Sequence, residues 1–123
     1  MVIKKEYTKM IPIPLRNELE KDPFYKKCCI TWRTDGKIDW HHNMTWGGKN
    51  LQEKFAILPV HNDIHQYHRK ITSEVKEKLN WVMVNRMSED ELSYYSKAID
   101  YKELKIRLNK KYGLVKKNTF KGI

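Results

Sequence analysis

The stretch Lys37-Ile38-Asp39-Trp40-His41-His42, answered later in the chain by Leu58-Pro59-Val60-His61-Asn62-Asp63-Ile64-His65, decides how this sequence is read. In the first run Ile38 and Trp40 alternate with Asp39 and His41, the two-residue period of a strand, and His42 stands where that strand ends. Upstream, Tyr25 to Trp32 is rich in aromatic and β-branched residues and predicts a partner strand. Asp35-Gly36 supplies its tight hairpin turn, in which both central positions need positive φ. Downstream, Asn43 to Asn50 contains Gly47-Gly48 and reads as a loop, and Phe55 to Val60 reads as a short apolar strand interrupted by Pro59. His61 then opens a helical pattern: His65 follows four residues later and His68 three after that, so one helix face presents two or three imidazoles.

Outward from this unit the chain reads as helical. On the N-terminal side the prolines of Ile11-Pro12-Ile13-Pro14 argue for an extended edge segment, followed by a short helix from Leu15 to Lys21 that Asp22-Pro23 ends. On the C-terminal side Val75, Leu79 and Val82 repeat at helical spacing behind Thr72 or Ser73. Ser88 with Glu91, and Asp100 with Glu103, fit the reciprocal N-terminal cap of two further helices, the last ended by Gly113. The expected fold class is α+β in a single domain. Its parts are an N-terminal segment (1–24), a hairpin and histidine-helix core (25–70), and C-terminal helices with a basic tail (71–123).

Composition sets the class of partner. The chain has 123 residues and a formal charge of +10, and its aromatic content argues against disorder throughout. From Tyr101 to Ile123 eight basic residues stand against Glu103 alone, so this segment carries +7 of the +10. A field of that sign favours a polyanion, with nucleic acid first and an anionic membrane second. No apolar run approaches the roughly 20 residues that span a bilayer, and the opening lacks the apolar stretch of a signal peptide, so a cytoplasmic protein is expected. Cys28 and Cys29 are adjacent and cannot close an ordinary disulfide loop.

The histidines carry the chemistry. All 5 lie between His41 and His68. Three imidazoles from a strand and a helix can fill three positions of a tetrahedral divalent site at about 2.0 Å and leave one open for water or substrate. An ion there polarises a phosphoryl oxygen and stabilises a leaving alkoxide, and a second group must activate the water. Adjacent strand residues point to opposite faces, so His41 and His42 divide into one ligand and one general base. Beside a cation, His42 would be favoured in the neutral form that a base requires. Asp39 is a candidate to orient either imidazole from behind. Lys49, Lys54, Arg69 and Lys70 flank the unit as candidate phosphate contacts. Trp32 and Trp40 are expected in the core, whereas Trp46 is open between packing and base stacking.

Residues Cys28 to Lys70 resemble the HNH, or ββα-metal, endonucleases. Lys37 to His42 is similar to their paired-histidine strand and Leu58 to His65 to their helix entry. His61-Asn62-Asp63-Ile64-His65 is similar to the metal helix of colicin-type nuclease domains, and Leu58-Pro59 with Gln66 resembles phage recombination-enhancement nucleases. The resemblance implies one divalent ion (zinc, magnesium, manganese or nickel) held by His41, His61 and His65. It further implies His42 as general base, DNA as substrate, and phage or host recombination proteins as partners. The family's middle Asn is replaced: Gln52 or Phe55 occupies its region and Asn50 stands close but early, and Asn50 and His68 are further candidates to support the site or touch DNA. The Cys-x-x-Cys pairs of many relatives are missing, so no second, structural zinc is expected. The competing reading is a non-catalytic nucleic-acid-binding module in which the histidines, His68 included, close a structural zinc site.

Overall fold

Two antiparallel strands distant in sequence organise the computed structural model, which describes residues 11–64 and 73–113. Strand β1 (Ile38–His42) pairs with β4 (Ile57–His61), with Ile38 opposite His61, Trp40 opposite Pro59 and His42 opposite Ile57. Between them a small hairpin, β2 (Thr45–Trp46) and β3 (Lys49–Asn50), forms a second sheet. The helices are α1 (Ile13–Lys21), α2 (Ser73–Arg86), α3 (Glu89–Tyr94) and α4 (Tyr101–Tyr112). The result is a mixed α+β domain.

Proline does not interrupt β4. The Asn43 N–H donates to the Ala56 carbonyl at 2.7 Å and the Asn62 N–H to the Lys37 carbonyl at 2.9 Å, which fixes the alternation of the ladder. By that alternation Trp40 and Pro59 form a non-hydrogen-bonded pair, so the missing proline N–H faces away from β1 and costs no ladder bond. The outward Pro59 carbonyl instead accepts the Cys29 N–H at 2.9 Å. All five β4 residues are buried, against none of β1.

The expected strand from Tyr25 to Trp32 does not form. Pro23 and the Asp22 side chain, which accepts the Phe24 N–H at 3.0 Å, start a 3-10 turn over Pro23–Lys26 that puts Phe24 and Tyr25 into the core. The chain then loops: the Cys28 N–H donates to the Arg33 carbonyl and the Trp32 N–H to the Cys28 carbonyl. Trp32 adopts φ +64° and is 53% exposed, so it is not the core residue its sequence context suggests. Gly36 does turn the chain with φ +68°, yet it leads into β1 from a loop and not from a hairpin. Arg33 holds that loop with a two-pronged pair to Asp35 (2.6 and 3.0 Å) and a third bond to Asp63 (3.0 Å).

The helices follow the sequence more closely. Helix α1 starts at Ile13 because Pro14 falls in the first turn, where a missing N–H is harmless. Leu79, Val82 and Met83 of α2 belong to one core with Ile57, Leu58 and Val60 of β4. Ser88 and Glu91 form the reciprocal cap of α3, Asp100 accepts from Lys102 and Glu103 at the start of α4, and Gly113 (φ +98°) ends it. The Trp81 ring N–H and the Asn85 amide both donate to the Asn109 side-chain oxygen at 2.9 Å, fastening α2 to α4. Among the described residues no helix is long and apolar enough to cross a membrane.

Candidate active site

His42 closes β1 at the root of the β2–β3 hairpin. Its Nε2 lies 3.0 Å from Oε1 of Gln52, ten residues on, and the Leu51 N–H donates to the Met44 carbonyl at 3.0 Å just inside that contact. An amide oxygen only accepts, so in a neutral imidazole this contact would place the ring proton on Nε2 and leave the lone pair on Nδ1. That is the tautomer of a neutral base with its accepting nitrogen fixed in direction. Gly47 (φ +65°) and Gly48 (φ +81°) supply the tight turn that brings the chain back within ten residues, so the glycine loop is a structured clip for the imidazole. Of the three residues in the region of the family's middle Asn, Gln52 is the one that reaches His42. Asn50 is exposed opposite Thr45, and Phe55 is buried.

His41 faces the other way. In an antiparallel pair, opposite residues share a face, so His41 lies with Asp39, Leu58 and Val60 on one side, while His42 lies with Trp40 and His61 on the other. Along the ladder His41 and His61 are three residue pairs apart. His61 is 2% exposed. Its Nδ1 accepts the Asp63 N–H at 3.1 Å, and Oδ2 of Asp63 is 3.7 Å from the same nitrogen. This is N-cap geometry: the imidazole satisfies a first-turn donor where the chain becomes helical at Asn62. Among the described residues Nε2 has no hydrogen-bond partner, and it faces Gly36, where an added Cβ would come within 2.9 Å of it.

These positions bear on the implied ion. Among the described residues no three His, Cys, Asp or Glu side chains converge on a common point. His41 and His61 turn to opposite faces; Nδ1 of His61 is engaged by the Asp63 N–H, while its Nε2 has no hydrogen-bond partner among the described residues. His65, His68, Arg69 and Lys70 lie outside the described residues, as does the tail beyond Gly113. What the described residues bring together is therefore His42 with Gln52, and no group of three metal-ligating side chains.

The flanking charges are partly spent. Lys54 Nζ pairs with Asp22 at 2.9 Å, and Arg86 lies 4.0 Å from the same carboxylate and 3.9 Å above the Phe24 ring. Burial pushes the Asp22 carboxyl up, but the Lys54 and Phe24 hydrogen bonds and the two cations outweigh it and hold the group below its ordinary range. On α4, Lys111 and Arg107 lie 2.6 and 3.9 Å from Glu77, whereas Lys102, Lys105 and Lys110 make no ion pair among the described residues and line a groove of about 530 Å³ beside α3. Sequence reading did not foresee the aromatic cluster beside the hairpin, where Trp46 meets Tyr94 and Tyr95 with ring centroids 5.6 and 5.3 Å apart. The Trp46-Gly47-Gly48-Lys49 run was its one visible signal.

Compared with models of protein families, with curated proteins and with solved structures, the chain gives no match.

Proposed function

We propose that this chain is a small HNH-type endonuclease or nickase that hydrolyses phosphodiester bonds of DNA, with His42 as its general base. The observation that carries the reading is the His42–Gln52 contact at 3.0 Å, on the second histidine of the strand that the ββα-metal motif requires. β1, β4 and the helical turn from Asn62 supply the order of elements of that motif.

The chemistry follows from the tautomer. Nδ1 of His42 takes a proton from water as the water oxygen attacks phosphorus, and the resulting imidazolium is stabilised by its Nε2–H bond to Gln52. The implied divalent ion would supply Lewis-acid stabilisation of the leaving alkoxide, with His61 and His65 as its candidate ligands, since His41 faces the other side of the ladder. No step at His42 depends on where that ion sits. Lys102, Lys105 and Lys110 of α4, which make no ion pair among the described residues, give a surface for neighbouring phosphates, in keeping with the +10 charge.

Supercoiled plasmid incubated with the purified protein and a series of divalent ions tests the activity. Conversion to nicked or linear DNA in at least one ion is expected. Plasmid left untouched in every ion would overturn the reading.

A further inference from the structure

The hairpin clipped to His42 also carries a groove. It has a volume of about 310 Å³, at the lower end of ligand-sized clefts, and its walls include Trp46, Gly47, Tyr95, Lys97, Ile99 and Tyr101. No carboxylate lines it. Lys97 Nζ lies 5.2 Å from the centroid of the Trp46 ring, and Ile99 is 50% exposed. Lys49 stands directly opposite Trp46 across the hairpin, hence on the same face, and is exposed.

Flat aromatic walls with ammonium groups at the rim suit a planar, uncharged ring attached to a phosphate. Aromatic stacking accepts every base, because each base has a π-face, and lysines meet the backbone. A paired base within a duplex cannot present its face, so the occupant must be unpaired. We propose that this groove takes one unpaired nucleobase of a DNA strand, stacked on the Trp46 face away from Tyr94, with the nearly perpendicular Tyr95 ring at its edge and its phosphate near Lys97 and Lys49. Trp46 is four residues from His42, and the His42–Gln52 bond closes the root of the same hairpin. A base held here therefore registers its strand against the general base. This inference rests on the nuclease reading and narrows it to single-stranded, branched or frayed DNA.

The test is binding by the intact protein with divalent ions chelated, with circular dichroism confirming that it stays folded. Two probes are compared: a short labelled oligothymidylate and an abasic strand of equal length, which keeps the phosphates and lacks the bases. The wild-type protein is expected to bind oligothymidylate about tenfold more tightly, with Trp emission quenched. Trp46→Ala should remove that preference and leave abasic binding unchanged, and Trp46→Phe should restore part of it. Equal binding of the two strands by wild-type protein overturns the inference and needs no variant. So does an equal loss on both strands in Trp46→Ala. If base preference is absent while plasmid is still cut, this inference alone fails. If the preference is present and no ion supports cutting, the nuclease reading fails and the base site stands.

Discussion

Oε1 of Gln52 lies 3.0 Å from Nε2 of His42, across a hairpin whose turn is two glycines at positive φ. Under the proposed nuclease reading, that contact leaves one ring nitrogen to do chemistry and fixes the other as a donor. A residue that directs a base through a hydrogen bond acts on rate and pH dependence and not on substrate affinity.

Gln52→Ala should therefore lower cleavage at saturating DNA by about tenfold or more and leave DNA affinity within about twofold, because orientation is lost and binding surface is not. Gln52→Glu keeps the acceptor and adds a negative charge that favours imidazolium. Its activity should return in part, with the acid limb of the pH–rate profile moved to higher pH. A profile that stays in place would remove Gln52 from the base's environment.

His61 is expected to act on stability through the Asp63 N–H. His61→Ala should cost about 1 kcal/mol in urea unfolding, the ordinary loss of an N-cap, whereas His61→Asn, which can accept the same bond, should cost less. Gly36→Ala should be destabilising as well, by roughly 1–2 kcal/mol for a side chain forced into the left-handed region. Equal stability of His61→Ala and His61→Asn would show that the cap contributes nothing.

Much of this architecture was legible, for reasons that can be named residue by residue. The alternation of Ile38, Asp39, Trp40 and His41 marks β1 although all five of its residues are half-buried, and Ser88 with Glu91 gives the start of α3 because capping is local chemistry. Tyr25 misled, since a buried 3-10 turn accepts the same aromatic residue as a buried strand. The β2–β3 hairpin hid behind Gly47-Gly48, which marks a loose loop and a tight turn alike. The approach of Gln52 to His42, and the cap that His61 provides to Asp63, depend on where strands pair and are not written in spacing.

Stability should fall in acid. Arg33 hydrogen bonds hold Asp35 down to about 2, and Lys111 and Tyr112 hydrogen bonds hold Glu77 below its ordinary 4.5. Asp22 is lowered as well. Carboxylates depressed in the folded state stabilise it above their unfolded values, and that contribution is lost as pH falls through the folded ones. Urea midpoints should therefore decline from about pH 5 towards pH 2, less steeply in high salt because Asp35 and Glu77 face solvent. A midpoint independent of pH over that range would contradict these pairings.

On α4 the lysines should separate by partner. Replacing Lys102, Lys105 and Lys110 together by Ala should flatten the salt dependence of DNA binding by up to about 0.9 for each phosphate that is no longer neutralised. Replacing Arg107 and Lys111, which Glu77 already holds, should change the slope less and reduce stability more. Equal slopes for the two variants would dissociate the α4 groove from phosphate binding. Point changes are the appropriate probe, because Tyr101 and Leu108 of this helix are buried.

The most direct test of His42 as general base is single-turnover cleavage of saturating DNA by the His42→Ala protein, with affinity measured on the same preparation. The expected result is a rate lower by about 10²- to 10⁴-fold with DNA binding unchanged. Cleavage within about twofold of the wild-type rate would contradict the assignment of His42 and, with it, the catalytic role given to the Gln52 contact.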